Sequence, residues 1–150
     1  MKSKTSACRV TTERRLQFID VTEELCRAVT QSGVAEGCAI AYCRHTTCGL
    51  LLNEFEEGAL DDFRRHLGQL VPAGYFAHDD PSRQNFNEHE RINGRAHVTE
   101  MILGGTSHAI PVSSSEPLLG TWQRLILVEL DEQPDGRPLV RELAFYVFGE

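Results

Sequence analysis

Three histidines, His45, His78 and His97, stand beside the residue types that a metal or phosphate site uses. His45 opens the stretch HTTCGLLLNE, in which Thr46 and Thr47 lead into an apolar run that ends in Asn53 and Glu54. Neutral imidazole is a good ligand for zinc and similar metals, and a carboxylate within reach can act as acid or base. If residues 37–45 and 49–54 are adjacent strands joined at His45-Thr46-Thr47, then His45 and Glu54 are expected at the rim of one pocket. The plainer alternative is a surface turn with a solvated glutamate. His78 is followed by Asp79, a carboxylate able to orient its ring. Asn93, His97 and Met101 recur at spacing four, so an amide and an imidazole share one helical face. Convergence of the three imidazoles would make a His-rich metal site; taken singly, each is an ordinary surface or satisfied residue. The segment HERIN at 89–93 is not the HExxH pattern, because position 93 is Asn. His66 sits beside Arg64 and Arg65 on a polar helix face, and His108 reads as a strand residue.

The later strands add candidates. In TWQRLILVELD, a period of two puts Gln123, Leu125, Leu127 and Glu129 on one face and Trp122, Arg124, Ile126, Val128 and Leu130 on the other. Both faces are largely apolar, so a central strand is expected. Glu129 then needs a cation, a metal or a hydrogen-bond donor, unless it lies at a wet strand end. The turns LGGTS and LLGTWQ offer backbone amides and the hydroxyls of Thr106, Ser107 and Thr121, which could hold a phosphate. Neither matches a P-loop or a GxGxxG pattern, and each also reads as a plain tight turn.

The elements that must position these groups follow from pattern. Residues 7–19 suggest two short strands or one bent strand. Residues 20–33 form a helix, with Asp20 as N-cap and Gly33 as stop. Residues 56–72 form the clearest helix, with Leu60, Phe63, Leu67 and Leu70 on one stripe and Pro72 ending it. Residues 73–95 are a long polar loop, 96–105 a short helix, and 106–113, 121–130 and 138–148 three strands. Without a regular βαβ rhythm, the expectation is one α+β domain over 1–150, with a mixed, mainly antiparallel sheet and a few helices.

Composition limits the function classes. The 150 residues carry 15 basic and 22 acidic side chains, a formal charge of -7, and no obvious basic face, which argues against nucleic acid as a general partner. No run approaches the roughly 20 apolar residues of a membrane span, and the first residues lack the apolar core of a signal peptide. Five cysteines without a CxxC pair read as reduced thiols, so a cytoplasmic protein is expected.

The order of the motifs is more specific than any one of them. HTTCGLLLNE, YFAHDD, NGRAH, GGTSHAIPV and LLGTWQ…VELD together resemble the YjbQ family from about residue 15 to 148. The resemblance implies an α+β fold, a homotrimer, and a pocket that gathers the matched residues. Family members are commonly labelled secondary thiamine-phosphate synthases, and some look like metal-binding proteins. By match, the metal ligands would be His45, His78 and His97, with zinc or magnesium as the divalent ion. Catalytic roles would fall to Glu54, His97 and Glu129. Substrate contacts would come from Thr46, Thr47, Asn53, Asn93, Ser107, Thr121, Trp122 and Gln123. The implied activity joins a pyrimidine diphosphate to a thiazole phosphate, a small phosphorylated partner in each case. A metal-dependent hydrolase and a trimeric metabolite- or metal-binding protein without catalysis stay open. The chain departs from the family at SSSEPLLGTWQ and DEQPDGRPLVRE, where Arg137 or Arg124 would have to replace a basic residue of the relatives.

Overall fold

The computed structural model describes residues 1–133 and 135–150. Among these residues, eight strands and three helices follow one another as β1 (Lys2–Thr12), β2 (Phe18–Asp20), α1 (Thr22–Ser32), β3 (Gly37–Cys43), β4 (Cys48–Asn53), α2 (Glu57–Leu70), α3 (Gly94–Leu103), β5 (Ser107–Ser113), β6 (Glu116–Pro117), β7 (Arg124–Glu129) and β8 (Leu139–Gly149). A 3₁₀ turn, Ala77–Asp79, interrupts the long loop before α3.

The first strand is longer than its sequence suggests. β1 pairs with β8 residue by residue from Lys2 to Thr12, and its polar residues point outward in alternation. That polarity hides the strand from a hydrophobic reading, because an edge strand with one wet face needs few apolar residues. The chain then turns through Leu16, at φ 55, into the short β2.

Local chemistry sets the helix ends. Asp20 Oδ1 accepts from the Thr22 amide at 2.9 Å, and Val21, one residue after the expected cap, is the boundary residue of α1. Gly33 closes α1 in the left-handed region at φ 67, as its position predicts. Glu56 caps α2 with both carboxylate oxygens, which accept from Gly58 N and Ala59 N at 2.9 Å each. On α2, Leu60 and Leu67 are buried and Phe63 partly so, whereas Leu70 is exposed because the stripe rotates off the core in the last turn.

The strands form two sheets, in the orders β1-β8-β3-β5-β6 and β2-β7-β4, and every registered pair among the described residues is antiparallel. The fold is α+β, with the expected sheet divided in two. One core lies between the large sheet, the small sheet and α1, and draws on Leu25, Val29, Leu50, Leu127 and Phe145. A second core packs Ile126, Val128 and Leu130 against Leu60, Leu67 and Ala96 of the other two helices. The small sheet is therefore covered on both faces, which explains why β7 is apolar on both. No helix among the described residues is long and apolar enough to cross a membrane.

One close approach fixes the end of the large sheet. A Cβ on Gly37 would land on the carbonyl oxygen of Phe148, a backbone atom that cannot swing away. At Gly68, on α2, a Cβ would meet nothing within 4 Å. Gly37→Ala is expected to cost about 2 kcal/mol or more, whereas Gly68→Ala should gain roughly 0.5–1 kcal/mol from helix propensity. Urea unfolding of the two variants against wild type checks the opposite signs.

Candidate functional site

The site begins with a buried charge. Glu129 ends β7 with no exposed surface, and Arg141 of β8 grips it with both arms of the guanidinium, Nε to Oε2 at 2.7 Å and Nη2 to Oε1 at 2.6 Å. Thr12 Oγ1 donates to Oε2 at 2.5 Å, and the Asp131 amide donates to Oε1 at 2.9 Å. Burial alone would lower the Arg141 pKa, but the bond to Glu129 and its charge outweigh that and hold it above the usual arginine value. The expected partner of Glu129 is thus a cation. With four donors on two oxygens and no exposure, Glu129 holds the site in place and has no free oxygen for the proton-handling role expected of it.

Arg141 also carries the fork outward to the His45-Thr46-Thr47 turn. Its Nη2 donates to Thr47 Oγ1 at 3.2 Å, and Thr47 Oγ1 lies 3.4 Å from Asp131 Oδ2. His45 Nε2 accepts the backbone amide of Glu142 at 2.8 Å, which places the ring proton on Nδ1. Burial, with the Arg141 charge adding to it, lowers the His45 pKa. Thr46 is exposed at the tip of the turn.

The start of α3 faces the same region. Asp131 Oδ2 accepts from Arg91 Nε at 3.1 Å and from Asn93 Nδ2 at 3.2 Å. The rings of His97 and His78 stand 4.6 Å apart, centre to centre. His78 Nδ1 lies 3.0 Å from Asp79 Oδ1 and its Nε2 3.1 Å from Glu90 Oε1, so carboxylates flank both nitrogens. Asp79 orients His78 as its sequence position suggests. It also accepts the amides of Asn93 and Gly94 at 3.0 and 2.8 Å, tying the long loop to the first turn of α3. Burial would raise the Asp79 pKa, but these donors more than reverse it. The His97 pKa is lowered, first by burial and next by His78.

Two acceptors in this cluster have no donor. Asp131 Oδ1 and Asn93 Oδ1 are both shielded from solvent and unpartnered, while Asp131 Oδ2 is crowded. A shielded acceptor without a donor costs about 1–3 kcal/mol. The oxygen pair beside a ring of lowered pKa suits a hard or borderline divalent cation. His45 and His78 do not offer free nitrogens to it, since Nε2 of the first accepts an amide and both nitrogens of the second meet carboxylates. Among the described residues no three His, Cys, Asp or Glu side chains already converge as a metal cage. An oxygen pair of this kind could hold an ion such as magnesium, which keeps several waters and needs few protein ligands.

The remaining expected residues lie elsewhere in the chain. β4 pairs with β7 from Cys48↔Glu129 to Asn53↔Arg124, so Asn53, Glu54, Thr121, Trp122 and Gln123 cluster at the end of the small sheet opposite Glu129. Seven residues of extended chain separate Thr47 from Glu54 by about 20 Å. His45 and Glu54 are not two rim groups of one pocket within a chain. Gln123 Oε1 accepts the Gly120 amide at 2.8 Å, and Trp122 is 71% exposed. Ser107 opens β5 opposite Tyr42, exposed on the outer face of the large sheet. His108 Nε2 bonds the Leu50 carbonyl oxygen at 2.9 Å and joins the two sheets, while His66 is exposed.

Arg141, Asp131, Arg91 and Glu90 were not singled out from sequence. Arg141 left one signal: a period of two puts it on the inward face with Leu143, Phe145 and Val147, where a charge demands a partner. Arg141→Met should destabilise the protein by about 3–5 kcal/mol, because it leaves Glu129 buried and unpaired. Combining it with Glu129→Leu should recover most of that loss, and denaturant midpoints would separate the two cases. The His45 and His97 rings should titrate below about 6.5, the ordinary histidine value. The unfolded chain then binds these protons more readily, so stability rises with pH up to that value and falls on acidification through it. Ring-proton NMR across pH 4–8 and unfolding at matched pH check both statements.

The chain matches the family model described as UPF0047 protein YjbQ-like over residues 6–150. It is 34% identical over 134 residues to a UPF0047 protein of Archaeoglobus fulgidus, covering 88% of this chain and 95% of that one. Against the UPF0047 protein YugU of Bacillus subtilis it is 30% identical over 122 residues, covering 81% and 86%. Among solved structures, a hypothetical protein from Aeropyrum pernix K1 superimposes with a TM-score of 0.77 at 31% identity, over 98% of this chain and 99% of that one. A YbjQ-like protein of unknown function from Sulfolobus solfataricus P2 does so with a TM-score of 0.74 at 25% identity, over 99% of each chain. With its motifs in order and its fold shared from end to end, this chain belongs to the YjbQ-like UPF0047 family.

Proposed function

We propose that this protein is a divalent-cation-assisted enzyme of the thiamine-phosphate synthase type, joining a pyrimidine diphosphate to a thiazole phosphate with release of pyrophosphate. One observation carries the reading: Asp131 Oδ1 and Asn93 Oδ1 are acceptors without donors beside His97. Three nearby arginines are already committed, Arg141 to Glu129, Arg91 to Asp131, and Arg83 to Glu90, whereas Arg15, near Glu132, has two guanidinium nitrogens without a partner among the described residues. A phosphorylated substrate approaching the two spare acceptors is repelled by them unless a metal ion lies between.

Asp131 and Asn93 would hold the cation through oxygen, and magnesium, which keeps several waters, fits such a pair. When bound, it would supply the positive charge that a departing pyrophosphate requires. In the transfer, the thiazole nitrogen bonds to the pyrimidine methylene carbon as the carbon–oxygen bond to pyrophosphate breaks. Positioning is the main task of the protein. His97, neutral near pH 7, can take or return a proton at the leaving oxygen, and His78 keeps its ring in place. Two cavities of about 180 and 420 Å³ share Phe76, Asp79 and Ile92 beside the site and give the organic groups somewhere to lie.

The second group of matched residues supports assembly into a homotrimer. Asn53, Glu54, Thr121, Trp122 and Gln123 lie at the end of the small sheet away from Thr47, about 20 Å along β4, and the apolar side chains Phe55, Leu118 and Trp122 are 42%, 63% and 71% exposed. A neighbouring copy could bring that end to the cation end, with Trp122 stacking on an aromatic ring and Glu54 handling a proton.

The test is formation of thiamine phosphate from the two precursors by purified protein with magnesium. His97→Gln and Asp131→Asn are each expected to lower the rate at least about 100-fold with the fold intact by circular dichroism, and a chelator should abolish it. Product formation that survives the chelator, or that His97→Gln leaves unchanged, would overturn the assignment. Release of phosphate without the thiazole acceptor would identify a hydrolase instead.

A further inference from the structure

Cys43 is the last residue of β3 and Cys48 the first of β4, so the two thiols bracket Arg44-His45-Thr46-Thr47. The strands belong to different sheets, yet the two sulfurs face each other at 2.9 Å, within about 1 Å of a bonded pair. Cys8, Cys26 and Cys38 are also free, but among the described residues Cys43 and Cys48 are the two whose sulfurs meet. We propose that Cys43 and Cys48 are an oxidisable dithiol, which a hydroperoxide converts into an intrachain disulfide stapling the ends of the His45-Thr46-Thr47 turn. This does not rest on the function proposed above.

The surroundings favour Cys43 as the attacking sulfur. The Cys48 thiol and the His45 amide hydrogen-bond to it, and Arg141 adds positive charge, which together lower its pKa against the effect of burial. Cys48 is pushed the other way, first by its bond to Cys43 and then by burial, so it keeps its proton. Cys26 is exposed, but partial burial and the nearby Glu116 raise its pKa and reduce its thiolate fraction. Reach is the constraint, because Cys43 and Cys48 are only 1% and 0% exposed. The covering turn is four residues long with Arg44 and Thr46 exposed, and oxidation requires it to open far enough to admit a small oxidant.

The chemistry balances without a further reactant. The Cys43 thiolate attacks one peroxide oxygen, the oxygen–oxygen bond breaks, and the displaced oxygen leaves as water after taking a proton. This forms a Cys43 sulfenic acid. Cys48 sulfur then attacks the sulfenic sulfur, the sulfur–oxygen bond breaks, and the Cys48 proton leaves with that oxygen as a second water. Each sulfur is oxidised by one electron and the peroxide is reduced by two.

The test treats folded wild-type protein with hydrogen peroxide and maps peptides without reduction. The expected result is a Cys43–Cys48 cross-link with loss of about 2 Da, and a Tm raised by roughly 5 °C that dithiothreitol returns to its starting value. In Cys48→Ser, Cys43 should instead stop at the sulfenic acid and be captured by a dimedone probe. If both thiols remain alkylatable after unfolding while Cys26 is already oxidised, or if Cys43 links to any other cysteine, the assignment is wrong.

Discussion

The fork between Glu129 and Arg141 is the constraint around which the rest is arranged. It joins β7 of the small sheet to β8 of the large one, and Thr12 brings β1 to the same carboxylate. Removing both charges from water costs several kcal/mol each, and their mutual attraction repays this only when the remaining donors and acceptors are satisfied. Here Glu129 has four donors. The pair therefore does not need to be a large net source of stability to matter. It fixes the registry of two sheets at one end, where an apolar pair would fill the same volume but specify less. What it specifies is the position of Thr47 and Asp131, which contact Arg141 from the side facing the loop.

From that anchor, order passes outward to groups that can do chemistry. Asp131 is held on one oxygen by Arg91 and Asn93, which leaves the other oxygen without a donor. Asn93 precedes α3, and His97 lies one turn on. Asp79 accepts the first amides of that helix while also holding His78. The long polar loop is thus tied by carboxylates to the start of α3. The network is satisfied around Glu129 and unsatisfied at Asp131 Oδ1 and Asn93 Oδ1, the pattern expected where a ligand completes the set.

Much of this was legible in the sequence. The apolar stripe of α2, the strands around His45, the central nature of β7 and the need of Glu129 for a partner all follow from periodicity and burial. The service of Asp79 to His78 follows from adjacency. The division into two sheets was not legible, because a period of two is the same whichever sheet a strand joins. β1 was shortened because its outward residues are polar. Arg141 was missed because its meaning depends on Glu129, which is 12 residues away in sequence and a sheet away in space. The expected meeting of His45 and Glu54 failed on arithmetic the sequence already contained. A strand of six residues that leaves a turn carries its far end away from that turn, whichever neighbour it pairs with.

That last point bears on why the motif residues fall into two groups. Each end of the small sheet presents its own polar set, and a rigid strand with apolar residues between them cannot bend to unite them. The end with Asn53 and Glu54 carries an exposed tryptophan, an exposed phenylalanine and an exposed leucine, while the end with His97 carries unsatisfied oxygens. Apolar exposure at one end and polar deficit at the other are different debts, and no rearrangement inside a chain of this topology cancels both. Association of copies would cover the apolar end and a bound cation would complete the oxygens, so the two needs call for different partners.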